Sequence, residues 1–270
     1  MEPNKNRNLW IGIAVLIVVL CCGAIVVAAI GLGWAFFRAE RISTDLDILD
    51  LGPIQSARVE QSFGVGEAPY LDISNFAGTV SVRAGEDNLI RIVATKKAPG
   101  STALDRVNVQ MSKEGDRVTV TTTKRNNLNN ASVDLDIVAP PGTHLELITG
   151  AGTIDVRNIT GRINAQTGAG TIMVAGAANS VQLRTGAGSI QYEGTPAGHC
   201  SFDNGAGDIV LRLPAEPDVR VDLSTGLGSI DLGYQVDGST SPREVKGIIG
   251  DGSQGSIHAG TGLGQISVRP

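Results

Sequence analysis

From about residue 67 the chain alternates apolar and polar residues with a period of two. Leu71 and Ile73, Val80 and Val82, Val107, Val109 and Met111, Val118 and Val120, and Val133, Leu135 and Ile137 all have polar neighbours between them. Such alternation marks strands that bury one face. Asn126-Asn127-Leu128-Asn129-Asn130 and Pro140-Pro141-Gly142 are turn signals between these runs.

Beyond residue 143 the alternation becomes a repeat. Six Gly-x-Gly elements occur: Gly150-Ala151-Gly152, Gly168-Ala169-Gly170, Gly186-Ala187-Gly188, Gly205-Ala206-Gly207, Gly226-Leu227-Gly228 and Gly262-Leu263-Gly264. Their steps are 18, 18, 19, 21 and 36 residues. Two residues after each second glycine stands an isoleucine: Ile154, Ile172, Ile190, Ile209, Ile230 and Ile266. Val156, Val174, Tyr192, Leu211, Leu232 and Val268 follow two further on. Each first glycine is preceded by a second spaced pair: Leu145 and Leu147, Ile163 and Ala165, Val181 and Leu183, Cys200 and Phe202, Val221 and Leu223, Ile257 and Ala259. Threonine precedes the first glycine in every copy except one, where Asn204 stands. Leu71, Ile73, Asn75, Gly78, Val80 and Val82 fit the same template as an eroded copy, with Phe76 in place of the first glycine.

Each copy therefore reads as a strand, a corner and a second strand. The apolar phase slips by one across Gly-x-Gly, which a continuous strand cannot do without turning its other face inward. Glycine permits the bulged or positive-φ backbone that the slip needs. A unit of this size cannot bury its own apolar face, whereas stacked units place equivalent residues above one another in one aliphatic column. The predicted fold is thus all-β, a β-solenoid-like stack with Gly-x-Gly corners. The competing fold is an antiparallel β-meander with Gly-x-Gly as hairpin loop. The regular repeats occupy 143–270, and the less regular strands over 67–140 are expected to form a cap or an opening sheet. The step of 36 implies a lost rung or an insertion at 233–255. Asp237-Gly238 and Ser241-Pro242 favour an insertion that leaves the stack.

The N-terminal part is of another kind. Leu9 to Phe37 carry no charged side chain, enough to cross a bilayer as a helix even when tilted. Trp10 and Trp34 sit near its ends, where amphipathic rings favour the interface. A cleaved signal peptide would have a shorter apolar run and small residues at its exit, whereas this one ends Phe36-Phe37-Arg38. We therefore expect a cytoplasmic tail at 1–8, a single-pass transmembrane helix at 9–37 in contact with membrane lipid, a stalk at 38–66, and a β-domain at 67–270 on the extracytoplasmic side. Cys21 and Cys22 lie in the apolar run, with palmitoylation as a weaker alternative to plain packing. Cys200 alone lies beyond it, so the β-domain has no internal disulfide.

A net charge of −5 argues against nucleic acid as a partner, since phosphate neutralisation needs a basic surface. The residues offer no catalytic, cofactor-binding or metal-ligating set. His144, His199 and His258 are scattered, with no supporting ligand spacing. The position three beyond the second glycine holds Asp155, Met173, Gln191, Val210, Asp231 and Ser267, too few carboxylates for a calcium ladder. Gly-x-Gly lacks the third glycine and following helix of a dinucleotide site. Cys200 falls on an inward position, opposite in direction to its neighbour His199. Asp203, Asp208, Asp222 and Asp231 show no pair with glycosidase-like spacing.

The segment Ala139-Pro140-Pro141-Gly142-Thr143-His144-Leu145-Glu146-Leu147, followed by Thr149-Gly150-Ala151-Gly152-Thr153-Ile154-Asp155-Val156 and further T-G-x-G-x-I units, resembles the bacterial "putative adhesin" or toastrack domains. The resemblance spans about residues 67–270. It implies a β-solenoid-like domain, often membrane-tethered, with envelope or surface roles and no established catalytic residues. The leading expectation is a non-enzymatic, adhesin-like or scaffold module on the cell surface, whose partner is a cell-wall glycan or an envelope protein. The alternative is an accessory subunit of an envelope-stress or signalling system that acts through a membrane partner. Self-association is a third expectation, because the last repeat runs almost to Pro270 and would leave an open edge.

Overall fold

A computed structural model describes residues 53–85, 88–125 and 128–270. The tail at 1–8, the expected membrane helix at 9–37 and most of the expected stalk lie outside the described residues. Among the described residues no helix is long and apolar enough to cross a membrane.

The described chain is built of strands with a single helical turn. The strands are β1 (Ile54–Gly64), β2 (Tyr70–Asn75), β3 (Val80–Ala84) and β4 (Leu89–Pro99), then the turn α1 (Ser101–Leu104), then β5 (Val107–Glu114), β6 (Arg117–Lys124) and β7 (Ser132–Ala139). The repeats follow as β8 (His144–Arg157), β9 (Ile163–Ala177), β10 (Val181–Gly194), β11 (Gly198–Ala206), β12 (Ile209–Arg212), β13 (Val219–Leu227), β14 (Ile230–Leu232), β15 (Asp237–Thr240), β16 (Glu244–Ile249), β17 (Gly255–Leu263) and β18 (Ile266–Arg269).

Two parallel ladders share these strands. The arms before the glycines stack in the order β6, β2, β8, β9, β10, β11, β17, β13. The arms after them stack as β7, β3, β8, β9, β10, β12, β18, β14. Strands β8, β9 and β10 run unbroken through the corner and belong to both. The sheet is thus creased along its glycines, with aliphatic side chains of both arms inside the fold. Antiparallel strands finish the ends: β5 on β6, β4 on β7 and β1 on β4 at one end, β16 on β13 and β15 on β16 at the other. Parallel register between successive copies establishes the stack over the meander.

The column of isoleucines is real. Ile154, Ile172, Ile190, Ile209, Ile266 and Ile230 are consecutive partners. All are buried except Ile230, which is half-buried because β14 ends its ladder. The five buried ones stabilise the fold by about 2 kcal/mol each. The eroded copy also takes its place, with Leu71 opposite Leu145 and Val80 opposite Ile154.

Three expectations are corrected. The insertion at 233–255 does not leave the stack: β15 and β16 form a hairpin that covers β13, and Val245 and Ile249 enter the core. The last repeat has no open edge. β17 lies between β11 and β13, and β18 between β12 and β14, so the chain order of the final two repeats is reversed in the stack. The same reversal occurs at the other end, where β2 and β3 sit between the β6–β7 rung and β8. Periodicity gives rung length but not rung order, and each hairpin supplies the chain that a swap needs. Finally, β1 occupies the stretch read as stalk. Its residues are almost all exposed, so it shows none of the alternation that marks a half-buried strand.

The crease explains the glycines. At Gly170 φ is +140°, and a Cβ would lie 1.9 Å from the carbonyl oxygen of Gly152 in the rung below. At Gly168 it would lie 2.5 Å from the carbonyl oxygen of Gly150. The other copies repeat this pattern, and the contacts run Gly78, Gly152, Gly170, Gly188, Gly207, Gly264, Gly228, which is the rung order. The threonines before the corner are buried and tie it down. The Oγ1 groups of Thr167 and Thr185 donate to the carbonyls of Ala169 and Ala187 at 3.2 Å. Thr225 and Thr261 donate across to Gly264 and Gly207 at 3.0 and 2.9 Å, and Asn204 reaches Gly188 at 3.0 Å.

Two outcomes follow for stability. Gly170→Ala is expected to cost about 3 kcal/mol or more in urea unfolding, whereas Gly115→Ala, in a hairpin turn with open space around it, costs only the left-handed backbone at φ +58°, about 1–2 kcal/mol. Tyr192→Phe is expected to leave stability unchanged or raise the melting temperature, because the buried Tyr192 hydroxyl has no hydrogen-bond partner among the described residues. A fall of several degrees would contradict that reading.

Candidate binding face

Because successive rungs are in register, each outward position becomes a row running along the stack. Two rows on the arms before the glycines carry most of the chemistry. The first holds the residue just before each arm's first core residue: Arg117, Tyr70, His144, Arg162, Ser180, His199, Ser256 and Arg220 in stack order. The second holds the polar residue between the two core residues: Thr119, Asp72, Glu146, Asn164, Gln182, Ser201, His258 and Asp222, with Lys246 beyond.

Neighbours in these rows bond to one another. The ring of Tyr70 lies 5.0 Å from that of His144, tilted by 39°. The Arg117 guanidinium sits 4.7 Å over the other side of Tyr70 and pairs with Asp72. His144 Nδ1 accepts the backbone N–H of Arg162 at 3.0 Å, which fixes its ring. Asn164 donates to Glu146 at 2.9 Å, His199 Nδ1 meets Ser256 Oγ at 3.0 Å, and Lys246 pairs with Asp222 at 3.4 Å. Ion pairs this exposed add little stability. They fix the positions of donors and acceptors.

Two clefts lie end to end on this face. One, of about 680 Å³, extends from Arg117 and Tyr70 past His144 and Arg162 to His199. The other, of about 450 Å³, extends from His199 past His258 and Asp222 to Lys246 and Ile248. His199 lines both. From β6 to β16 the rows cross nine strands, or about 38 Å at the usual strand spacing. The result is a long, shallow groove with an aromatic platform at one end and alternating charge along its length.

The structure brings all three histidines, scattered in sequence, onto this one face. The signal was present in the repeat register: His144 and His199 both stand one residue before the first core residue of their arms, as do Tyr70 and Arg162. Among the described residues no group of three or more His, Cys, Asp or Glu side chains could hold a metal ion. Asp155 and Asp231 lie on the other ladder, paired with Arg157 and Arg269. Asp203 pairs with Arg184, and Asp208 accepts the backbone N–H of Gln265 at 2.8 Å. Cys200 is fully buried, away from the groove. Burial pushes its thiol pKa up, partly offset by backbone hydrogen bonds near Val181 and Ala197. Tyr192 beside it is raised as well, first by burial and then by the charge that Cys200 would carry. An inert, apolar thiol results rather than a nucleophile.

The sequence profile of the family Toastrack DUF4097 matches residues 70–268. The chain belongs to this toastrack family. No curated protein matches it. Among solved structures, a "putative cell adhesion protein" from Clostridium sporogenes has the same fold, with 13% identity and a TM-score of 0.51, over 80% of this chain and 99% of that one. A "putative adhesin" from Bacteroides fragilis is 13% identical over 78% of this chain and 97% of that one, with a TM-score of 0.31, too loose a match to carry an argument.

The shifted thiol has a consequence for stability. The folded pKa of Cys200 lies above its ordinary 9.0, so the unfolded chain loses this proton first as pH rises. The contribution is fully present below pH 9 and is lost as pH climbs towards the folded value. Urea midpoints at pH 7 and pH 10 are expected to differ less in Cys200→Ala than in the wild type. An unchanged difference would exclude Cys200 as a source.

Proposed function

We propose that this chain is a non-enzymatic binding module, tethered to a membrane and facing the extracytoplasmic side, which holds an extended polar polymer along the groove of its first arms. The observation that carries the reading is the pair of clefts joined at His199. Their length suits a linear chain better than a compact small molecule. The Tyr70 and His144 rings, both lining the first cleft, offer apolar contact to a polymer, and Arg117, Arg162, Glu146 and Asp222 offer fixed donors and acceptors. A cell-wall glycan meets that description. The uncharged run from Leu9 to Phe37 supports the tether. The solved structure with this fold described as a "putative cell adhesion protein" fits the same role.

Detergent-solubilised full chain is expected to co-sediment with purified cell-wall sacculi. Tyr70→Ala or His144→Ala is expected to weaken binding about tenfold, corresponding to about 1.4 kcal/mol. Ala substitution of Arg157, on the opposite ladder, is expected to leave binding unchanged. Equal retention by all variants would move the site elsewhere, and release of soluble sugar fragments would end the non-enzymatic reading.

A further inference from the structure

We propose that β1 is the contact through which two copies of this chain associate, edge to edge, about a two-fold axis at Val59. Among the described residues β1 pairs only with β4, so one whole edge of this eleven-residue strand has no strand partner among them. Which backbone groups face outward follows from the register. Pro53 accepts the N–H of Gly100, Val65 donates to the carbonyl of Asn88, and the pairing between them is unbroken from Ile54 opposite Pro99 to Gly64 opposite Leu89. In an antiparallel pair alternate residues turn both backbone groups to the same neighbour. The odd-numbered residues therefore bond to β4. Ile54, Ser56, Arg58, Glu60, Ser62 and Gly64 turn their N–H and C=O outward.

A second copy fits this edge in one register. Antiparallel pairing centred on Val59 sets Arg58 opposite Glu60 of the second copy and Glu60 opposite its Arg58. Ser56 then faces Ser62, and Ile54 faces Gly64. Every outward backbone group meets an outward group, giving about twelve hydrogen bonds. A shift by two residues keeps the backbone matched but sets Arg58 against Arg58 or Glu60 against Glu60, which is unfavourable. A shift by one residue mismatches the backbone altogether. The strand is thus palindromic in charge about its own midpoint. Within one copy Arg58 and Glu60 already lie together at 3.2 Å on one face, both more than half exposed or nearly so, and free to exchange partners. Val59, 40% exposed, would lie on its own symmetry mate in the close, non-hydrogen-bonded pair. Edge strands that avoid association carry charges of one sign, proline or bulges. β1 has none of these: its charges are complementary and its pairing with β4 is regular.

The test uses detergent-solubilised full chain. Sedimentation is expected to show a concentration-dependent dimer. Arg58→Glu, which gathers four carboxylates at the centre, is expected to weaken it at least tenfold, and the exchange Arg58→Glu with Glu60→Arg to restore it. Val59→Cys, in a Cys21→Ser, Cys22→Ser background, is expected to form an intermolecular disulfide under mild oxidation, since the central Cα pair would be about 4.5 Å apart. Should Arg58→Glu unfold the domain, the restored double variant and the disulfide still decide. A monomer at all concentrations, a dimer indifferent to Arg58→Glu, or no disulfide at position 59 would each overturn the proposal.

Discussion

Backbone meets backbone at the crease, and everything else in this domain is arranged around that contact. At the six Gly-x-Gly corners each carbonyl lies where the next rung's side chain would have to be, so these rungs stack only with glycine in both places, while the eroded copy, with Phe76 in the first, keeps Gly78 in the second. Strand spacing in a parallel ladder is about 4.8 Å, and side chains at the bend would force the rungs apart. With the corners in contact, the two arms diverge at a fixed angle. Their branched side chains then meet in a continuous core from Leu71 to Val268. The buried threonines fill a complementary role. The corner carbonyl already accepts the second glycine's N–H from the adjoining rung, as Leu263 does from Gly207, and a hydroxyl two residues upstream is short enough to add a second donor inside the bend. Asn204 and Asn75 reach the adjoining rung, as Thr225 and Thr261 also do.

Much of this was legible in the sequence because the stack enforces strict spacing. Rung length, the inward positions, the eroded copy at Leu71–Val82 and the reason for the glycines all follow from period and phase. What could not be read is order. Equivalent rungs are nearly interchangeable in their core residues, so nothing in Ile257, Ala259 or Ile266 says that they pack beside Cys200, Phe202 and Ile209 rather than beyond Val221, Leu223 and Ile230. The capping hairpin was hidden for a related reason. Most of its side chains face water, and only Val245 and Ile249 are buried. β1 was missed because it borders the core without entering it. The groove lay half in view: alternation turns His199 outward from the inward Cys200, but only the register turns separate outward residues into rows.

The division of labour within each rung links architecture to use. Inward positions stay apolar, and any change in volume there is felt by the rungs on both sides. Outward positions answer only to their neighbours in a row, so tyrosine, histidine, arginine and serine all occupy the same site on successive rungs. The scaffold therefore carries a long surface whose chemistry is free to vary without cost to the core. It also holds that surface stiff, and a rigid array of polar groups loses little entropy on meeting an extended ligand.

The interleaving of the final repeats also bears on how the molecule is made. As the polypeptide leaves the ribosome, the rung of β11 and β12 is complete before β13 and β14 appear, yet these cannot settle on it, because the segment of β17 and β18 belongs between them and has not been synthesised. Until it arrives, the exit end of the nascent domain keeps an unfilled slot flanked by two ready-made strand edges. Completion is then an insertion step, in which the segment of β17 and β18 enters between two rungs that were both translated before it.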